Sequence, residues 1–326
     1  MSKKSSHQSL TQFAAVCTLA IGMPAMALAA DATFPSKPIR IIAPFSVGSG
    51  VDTIARIYAD ELSKELKVPV IVENKEGAGG MIGSALAARL PADGYSMLLA
   101  TTPFVVAPIT QRNVSYDPIK DFDAVARLAT NPLAFVINAK VPAKNMGELI
   151  SYAKANPGKL TYASSGLGTP SQLEMESLKS QLGLDILEIP YKSNAQALTD
   201  LLAGTVSIYY TVQSTSLSNM KSGALRALAV GSTEKTQALP DVPTVAESAH
   251  LPGYEAIVWY GLVAPKGTSQ DRIAILQRGL ENASKSEDVI KKIRNNGFEP
   301  SVLGAAEFQK QMVDEGEKWA TFTGKK

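Results

Sequence analysis

Beyond its first thirty residues the chain alternates short β-rich runs with longer stretches whose apolar residues recur at helical spacing. Ile39-Arg40-Ile41-Ile42-Ala43 reads as a strand, and a Gly/Ser turn follows it. Ile54, Ile57, Tyr58, Glu61, Leu62 and Leu66 then set a helical stripe, apolar but for Glu61. Residues 68–72 predict a second strand, 81–90 a helix begun after a glycine cluster, and 95–100 a third strand ending at Thr101-Thr102-Pro103. Together these make a βαβαβ unit.

A second series follows. Strands are predicted over 133–138, 159–163, 186–189, 206–210 and 225–230, and helices over 147–155, 171–182 and 195–203. Proline and glycine at Leu239-Pro240-Asp241-Val242-Pro243 and Leu251-Pro252-Gly253-Tyr254 oppose any regular element. A last β run over 256–264 leads to helices over 269–284, 288–295 and 306–319. The alternation is that of an α/β fold with parallel strands. Placing the C-terminal helices on the first half gives lobe 1 as residues 30–131 and 255–326 and lobe 2 as 132–254, with a double-crossover hinge and a cleft between the lobes.

A chain of 326 residues is long enough for two domains, and 45% hydrophobic with 19% charged residues is an ordinary globular balance. Its start differs. Lys3 and Lys4 precede an apolar run from Phe13 to Met23, and small residues follow at Ala25, Ala27, Ala29 and Ala30. That order predicts a secretory signal peptide over residues 1–29, cut after Ala29 or Ala30, and hence export to the periplasm. The run falls short of the ~20 residues that span a bilayer. Cys17, the one cysteine, lies inside the signal, and Val16 beside it argues against a lipid anchor. The mature chain therefore has no thiol for a disulfide, a nucleophile or a metal. The signal holds two lysines and no acid, so the +2 of the whole chain falls to zero without it. Such a balance argues against a nucleic-acid or anionic-membrane partner.

Several stretches have a family's wording: Phe34-Pro35-Ser36-Lys37-Pro38-Ile39-Arg40, Pro44-Phe45-Ser46-Val47-Gly48-Ser49-Gly50-Val51-Asp52, Val72-Glu73-Asn74-Lys75 and Ala92-Asp93-Gly94-Tyr95. Further on stand Pro157-Gly158-Lys159-Leu160-Thr161-Tyr162-Ala163-Ser164, Pro190-Tyr191-Lys192, Leu225-Arg226-Ala227-Leu228-Ala229-Val230 and Leu239-Pro240-Asp241-Val242-Pro243-Thr244-Val245-Ala246-Glu247. Over nearly the whole mature chain, in this order, the sequence resembles the Bug/TctC family, the periplasmic receptors of tripartite tricarboxylate transporters. The resemblance implies a type II periplasmic-binding-protein fold and a non-catalytic receptor without cofactor or metal. It also implies a small carboxylate held by amides, hydroxyls and water, and delivery to integral-membrane subunits. A monomer is expected.

The residues carry the same chemistry independently. The loop of Phe45, Ser46, Val47, Gly48, Ser49 and Gly50 joins a strand to a helix, where unsatisfied amides and the positive dipole end suit an anion. Asp52 is expected to cap that helix. Ser164, Ser165, Gly166, Thr169 and Ser171 repeat the construction in the other half, so the two turns together could grip one carboxylate. Thr101 and Thr102 end the third strand, where α/β sheets place ligands; Tyr191, Asn194, Ala195, Tyr210 and Thr211 hold equivalent places in the second lobe. Where many family members have Asp-x-Met-Phe-Asp, this chain has Ser207-Ile208-Tyr209-Tyr210-Thr211, without the acids. Phe45, Phe104, Tyr210 and Trp259 offer either flat apolar surface or core packing. The uncharged Thr211 and these rings lean towards an aromatic dicarboxylate such as terephthalate. Arg56 reads as a solvated helix residue, and Lys192 as either a cleft contact or a turn residue.

Other classes fit less well. Gly48-Ser49-Gly50 follows a strand, but Thr53 stands where a dinucleotide fold needs Gly or Ala. A secreted hydrolase using Ser164 or Ser165 would have His250 as its sole histidine, beside a Pro-Gly turn, and no Gly-x-Ser-x-Gly elbow. A receptor that docks on a signalling partner instead of a transporter is left open.

Overall fold

A computed structural model describes residues 34–324. The expected signal peptide, its cleavage point and Cys17 lie outside the described residues. Strand β1 (Ile39–Ala43) leads to helix α1 (Gly50–Leu66), β2 (Val70–Asn74), α2 (Met81–Ala87), β3 (Ser96–Thr101), α3 (Thr102–Thr110) and β4 (Phe122–Asn138). There follow α4 (Met146–Ala155), β5 (Thr161–Ser164), α5 (Pro170–Leu182), β6 (Leu187–Pro190), α6 (Asn194–Ala203), β7 (Ile208–Val212), α7 (Gln213–Lys221) and β8 (Leu225–Val230). The rest is α8 (Val245–Ser248), β9 (Ile257–Pro265), α9 (Gln270–Ser284), α10 (Glu287–Asn295), β10 (Glu299–Gly304) and α11 (Ala305–Phe322).

Helix α1 shows how local sequence makes an element. The Ser49 side chain caps it by accepting the Asp52 amide, Ile54, Tyr58 and Leu62 bury the core face, and Lys67 stops it in the left-handed region at φ 57°. Elsewhere the helices owe more to position than to stripe. Helix α3 was hidden by its prolines: Pro103 falls in the first turn, where a missing N–H costs nothing, and Pro108 lies inside. Helix α7 reads Gln-Ser-Thr-Ser-Leu-Ser-Asn-Met-Lys and has too few apolar residues to show a period. Strand β10 was not expected either.

The strand order is β2-β1-β3-β9-β4-β7-β5-β6, with β8 and β10 also paired to β4. Strands β1, β2 and β3 are mutually parallel, as are β5, β6 and β7. The expectation of parallel strands holds only for these two groups: β9 runs antiparallel to β3 and β4, and β4 antiparallel to β7, β8 and β10. The fold is mixed α/β. Strand β4 is 17 residues long, although residues 133–138 alone read as a strand. Its first part pairs with β9 and β10 and its last with β7 and β8, so one strand belongs to both groups. Because both faces are covered, burial is nearly continuous and the polar-apolar alternation that marks a strand is absent. Phe308 and Met312 of α11 pack with Ile42, Leu98 and Trp259, and Leu276 and Leu280 of α9 share a core with Ile54 and Leu62 of α1.

Candidate functional site

Five strands are each followed by a helix, β3 by α3 and β7 by α7 without a break, and β1 by α1, β5 by α5 and β6 by α6 through short turns. The starts of these five helices surround one cavity of about 290 Å³. Ser49, Gly50 and Val51 come from α1, Thr101 and Pro103 from the start of α3, and Thr169, Pro170 and Ser171 from the start of α5. Asn194 opens α6, while Thr211 and Val212 lead into α7. Phe45, Ser165, Leu133 of β4 and Val258 and Tyr260 of β9 complete the wall. None of the lining residues is Asp, Glu, Lys, Arg or His. Each helix start brings unpaired N–H groups and a partial positive charge, so the cavity is electropositive without a cation.

The first turn is braced from outside the cavity. Asp52, 3% exposed, accepts hydrogen bonds from the Gly48 amide at 2.9 Å, Asn74 Nδ2 at 2.9 Å and Arg56 Nε at 3.1 Å. Burial alone raises this carboxyl; the bonds from Arg56, Gly48 and Asn74 outweigh it and leave the pKa below its ordinary value. Asp52 therefore fastens the loop through its carboxylate, and the helix cap is Ser49 instead. Arg56 is tied to Asp52 and Asn74. The Ser49 amide donates to Ser46 O. With the Gly48 and Ser49 amides so engaged, those of Gly50 and Val51 remain, and none of the described residues supplies them an acceptor. Gly48 itself sits at φ +81°, a region that favours glycine.

The second turn is self-bonded. The Gly166 amide donates to Ser164 Oγ at 3.2 Å, the Ser165 amide to Ser171 Oγ at 3.1 Å, and Thr169 Oγ1 to Gly166 O at 2.7 Å. Ser164 is fully buried and donates to Glu188. Ser165 Oγ donates to Asn194 Oδ1 at 2.5 Å, and Tyr209 OH donates to the same oxygen at 2.8 Å. Across the cavity Thr101 Oγ1 is buried and has no hydrogen-bond partner among the described residues.

A family model described as tripartite tricarboxylate transporter family receptor, TctC, matches residues 54–325. The chain belongs to this family. It is 33% identical to protein BugT of Bordetella pertussis (strain Tohama I) over 314 residues, covering 95% of this chain and 96% of BugT. The solved structure of R. palustris Rpa4515 with adipate superposes with a TM-score of 0.76 at 30% identity, over 89% of this chain and 98% of that one. MatC (Rpa3494) from Rhodopseudomonas palustris with bound malate gives 0.70 at 26% identity, over 88% and 98%. The fold is that of periplasmic binding proteins, and the TctC family is one of binding proteins, not enzymes.

In this TctC receptor the cavity brings together Phe45, Ser49, Gly50, Thr101, Ser165, Thr169, Ser171, Asn194 and Thr211 of the residues singled out in the sequence. The other nine do not line it. Ser46 and Gly48 serve the bracing just described, and Val47 stands 72% exposed at the loop tip. Thr102 Oγ1 accepts the Trp259 amide, Ser164 is held by Glu188, and Gly166 closes the second turn. Tyr191 OH donates to Asp200 at 2.9 Å, and Ala195 lies inside α6. Tyr210 fails by strand parity. Thr211 faces the cavity, so Tyr209 two residues away shares its side, while Tyr210 turns into the core against Phe135. Phe104 and Trp259 likewise pack in the core, against Tyr116 and Phe308. Lys192 and His250 do not line the cavity.

Sequence reasoning missed Val51, Pro103, Leu133, Pro170, Val212, Val258 and Tyr260. Pro103 and Pro170 follow Thr101-Thr102 and Thr169, a hydroxyl-proline helix start that was readable. Tyr209 stands behind the wall, its OH against the lining residues Asn194 and Ser165. Leu133, Val258 and Tyr260 come from the two crossing strands, whose meeting no local pattern announces.

Proposed function

We propose that this chain is an exported periplasmic receptor that captures a small organic carboxylate for the membrane subunits of a tripartite tricarboxylate transporter. The observation that carries the reading is the convergence of five helix starts on a cavity with no charged side chain. A carboxylate set against the Gly50 and Val51 amides takes up orphan donors in the dipole field of α1. Ser49, Thr101 and Ser171 offer hydroxyls around it, while those of Ser165 and Thr169 donate to Asn194 Oδ1 and Gly166 O. Neutral donors bind more weakly than an ion pair would, which suits a receptor that must release its cargo. The solved relatives holding adipate and malate support the carboxylate class.

Our finer reading is an aromatic dicarboxylate such as terephthalate. Phe45, Tyr260, Pro103 and Pro170 flank the cavity with flat apolar surface, and Thr211 adds no negative charge. Lobe 1 (30–131 and 255–326) and lobe 2 (132–254) would move about the crossing of β4 and β9, ligand contacts favouring the closed population.

Titration calorimetry with matched pairs of carboxylates and carboxamides, among them terephthalate with terephthalamide and adipate with adipamide, tests this. A carboxylate should bind and its amide should not. Equal binding of both, or no heat from any acid, would overturn the reading. Uptake of the acid should also vanish when the gene is deleted; retained uptake would remove the transporter from it.

A further inference from the structure

Away from the cavity, two carboxyls share one lysine across the proposed lobe boundary. Glu174 of α5 is 5% exposed; Lys318 Nζ of α11 donates to its Oε1 at 3.0 Å and the Tyr254 hydroxyl to its Oε2 at 3.4 Å. Glu315, one turn before Lys318 on α11, takes the Trp259 indole N–H. Beside them Leu173 of α5 packs with Val106 of α3 and Trp319 of α11. Met175 and Leu178 root α5 in one core with Tyr162 and Ile208, and Phe308 and Met312 root α11 in another with Ile42 and Leu98. The Glu174–Lys318 pair therefore joins a helix of lobe 2 to a helix of lobe 1.

Tyr210, Glu255 and Trp319 also face these carboxyls, and Glu307, Lys310 and Asp314 line the same groove. Lys310 is held by Asp314, which leaves Lys318 to serve both Glu174 and Glu315. Burial pushes both carboxyls up, Glu315 to about 7. Once both are ionised, two negative charges meet one positive charge where water is scarce, and they repel across the boundary. Parting the lobes would draw Glu174 away from Glu315 and hydrate both. The first turn of α5 lines the cavity with Thr169, Pro170 and Ser171, so a shift of this helix reaches the ligand. We propose that Glu174, Lys318 and Glu315 form a proton-operated latch between the lobes, fastened while one carboxyl holds a proton and loosened once both are ionised. A carboxyl raised in the closed state above its value in the open one favours closure at low pH, and that advantage is lost as the pH passes about 7. The latch rests on the two-lobed receptor reading, whatever acid is carried.

Adipate affinity, measured by calorimetry at pH 6, 7 and 8 on wild type, Glu315→Gln and Glu174→Gln, tests it. Glutamine keeps the shape of either side chain. Wild-type affinity should fall about three- to tenfold from pH 6 to pH 8. Each variant should flatten that slope, and the ratio of variant to wild type at each pH cancels the titration of adipate itself. Variants that shift affinity equally at every pH, keeping the wild-type slope, would overturn the latch and leave the receptor reading intact. A wild-type affinity constant over this range would do the same. The second readout needs no ligand. Val47 and Leu167, each 72% exposed, tip the two turns that flank the cavity from opposite lobes, and Cys17, the one cysteine, falls in the expected signal peptide. Spin labels on Val47→Cys and Leu167→Cys should lie farther apart at pH 8 than at pH 6, and Glu315→Gln should hold the pH 6 distance at both. One distance at both pH values in the wild-type background would overturn the latch. A distance that lengthens with pH while no acid gives heat would uphold the latch and discard the carboxylate reading.

Discussion

The carboxylate of Asp52 accepts the backbone N–H of Gly48 at 2.9 Å, so the turn that bears the candidate anion seat is fastened to the helix it starts. The same carboxylate gathers Asn74 and Arg56, which ties the turn to the end of β2 as well. A neutral cavity wall is thus kept in shape by a buried charge behind it.

Asp52→Ala should therefore cost stability and affinity together. Removing a buried carboxylate that takes three hydrogen bonds should lower unfolding free energy by about 1–3 kcal/mol, the half-exposed Arg56 keeping the loss from being larger. Ligand affinity should drop by roughly tenfold as the Gly50 and Val51 amides lose their fixed direction. Urea melts and calorimetry on the same preparation read both. Because the Asp52 pKa is lowered by folding, its contribution is present above the ordinary value of 3.8 and is lost as the pH falls through the folded value.

Thr101→Val separates binding from folding in the opposite way. The buried Oγ1 has no partner among the described residues, so a methyl in its place should raise unfolding free energy by about 1 kcal/mol. If that hydroxyl serves the ligand, affinity should fall about three- to tenfold while thermal stability rises. Higher stability with unchanged affinity would leave Thr101 without a binding role.

Glu315 gives the fold a pH dependence away from the cavity. Burial beneath Trp259 raises this carboxyl to about 7, against opposing help from the Trp259 indole N–H and Lys318. Glu174, raised by its own burial, and Trp319 also face it. Between the ordinary 4.5 and about 7 the folded chain holds a proton that the unfolded chain has released, so stability falls as pH rises across that window. The contribution is whole below 4.5 and gone above about 7. Glu315→Gln should flatten the slope by about 1–2 kcal/mol, less than the full shift because the side chain is only partly buried. Denaturant midpoints at pH 5 and pH 8 measure it.

Gly168 should resist substitution for two reasons that a double variant can part. A Cβ there would lie 2.3 Å from Thr110 Oγ1, and the backbone sits at φ +77°. Gly168→Ala should destabilise by about 2–4 kcal/mol. On a Thr110→Gly background, which removes both Oγ1 and the Cβ that would lie 2.8 Å away, the same change should cost only the backbone strain of about 1–2 kcal/mol. No loss on that background would show the positive φ to be without cost.

How much of this was readable depended on whether a residue's neighbours in the chain are also its neighbours in space. Gly48-Ser49-Gly50 ahead of the α1 stripe announces a helix start, and Thr101, Ser165, Thr169, Asn194 and Thr211 all stand just past predicted strands. At β7 the sequence pointed to both Tyr210 and Thr211, and only Thr211 lines the cavity, because alternate strand residues face opposite sides. Helix α3 is poorly announced because two of its nine residues are prolines, one of them, Pro103, harmless in the first turn and the other, Pro108, inside. Tyr260 and Leu133 could not be read at all. They arrive at the cavity through antiparallel pairing of β4 with β9, more than a hundred residues apart.

The length of β4 bears on how the molecule comes apart. A 17-residue strand that supplies a partner to β9 and β10 at one end and to β7 and β8 at the other cannot be withdrawn from either neighbour alone. Melting one side strips hydrogen bonds from the strand on which the other side is built, so denaturation should proceed as a single step. A fragment ending before residue 122 would be an orphan sheet with an open edge, prone to pair with its own kind.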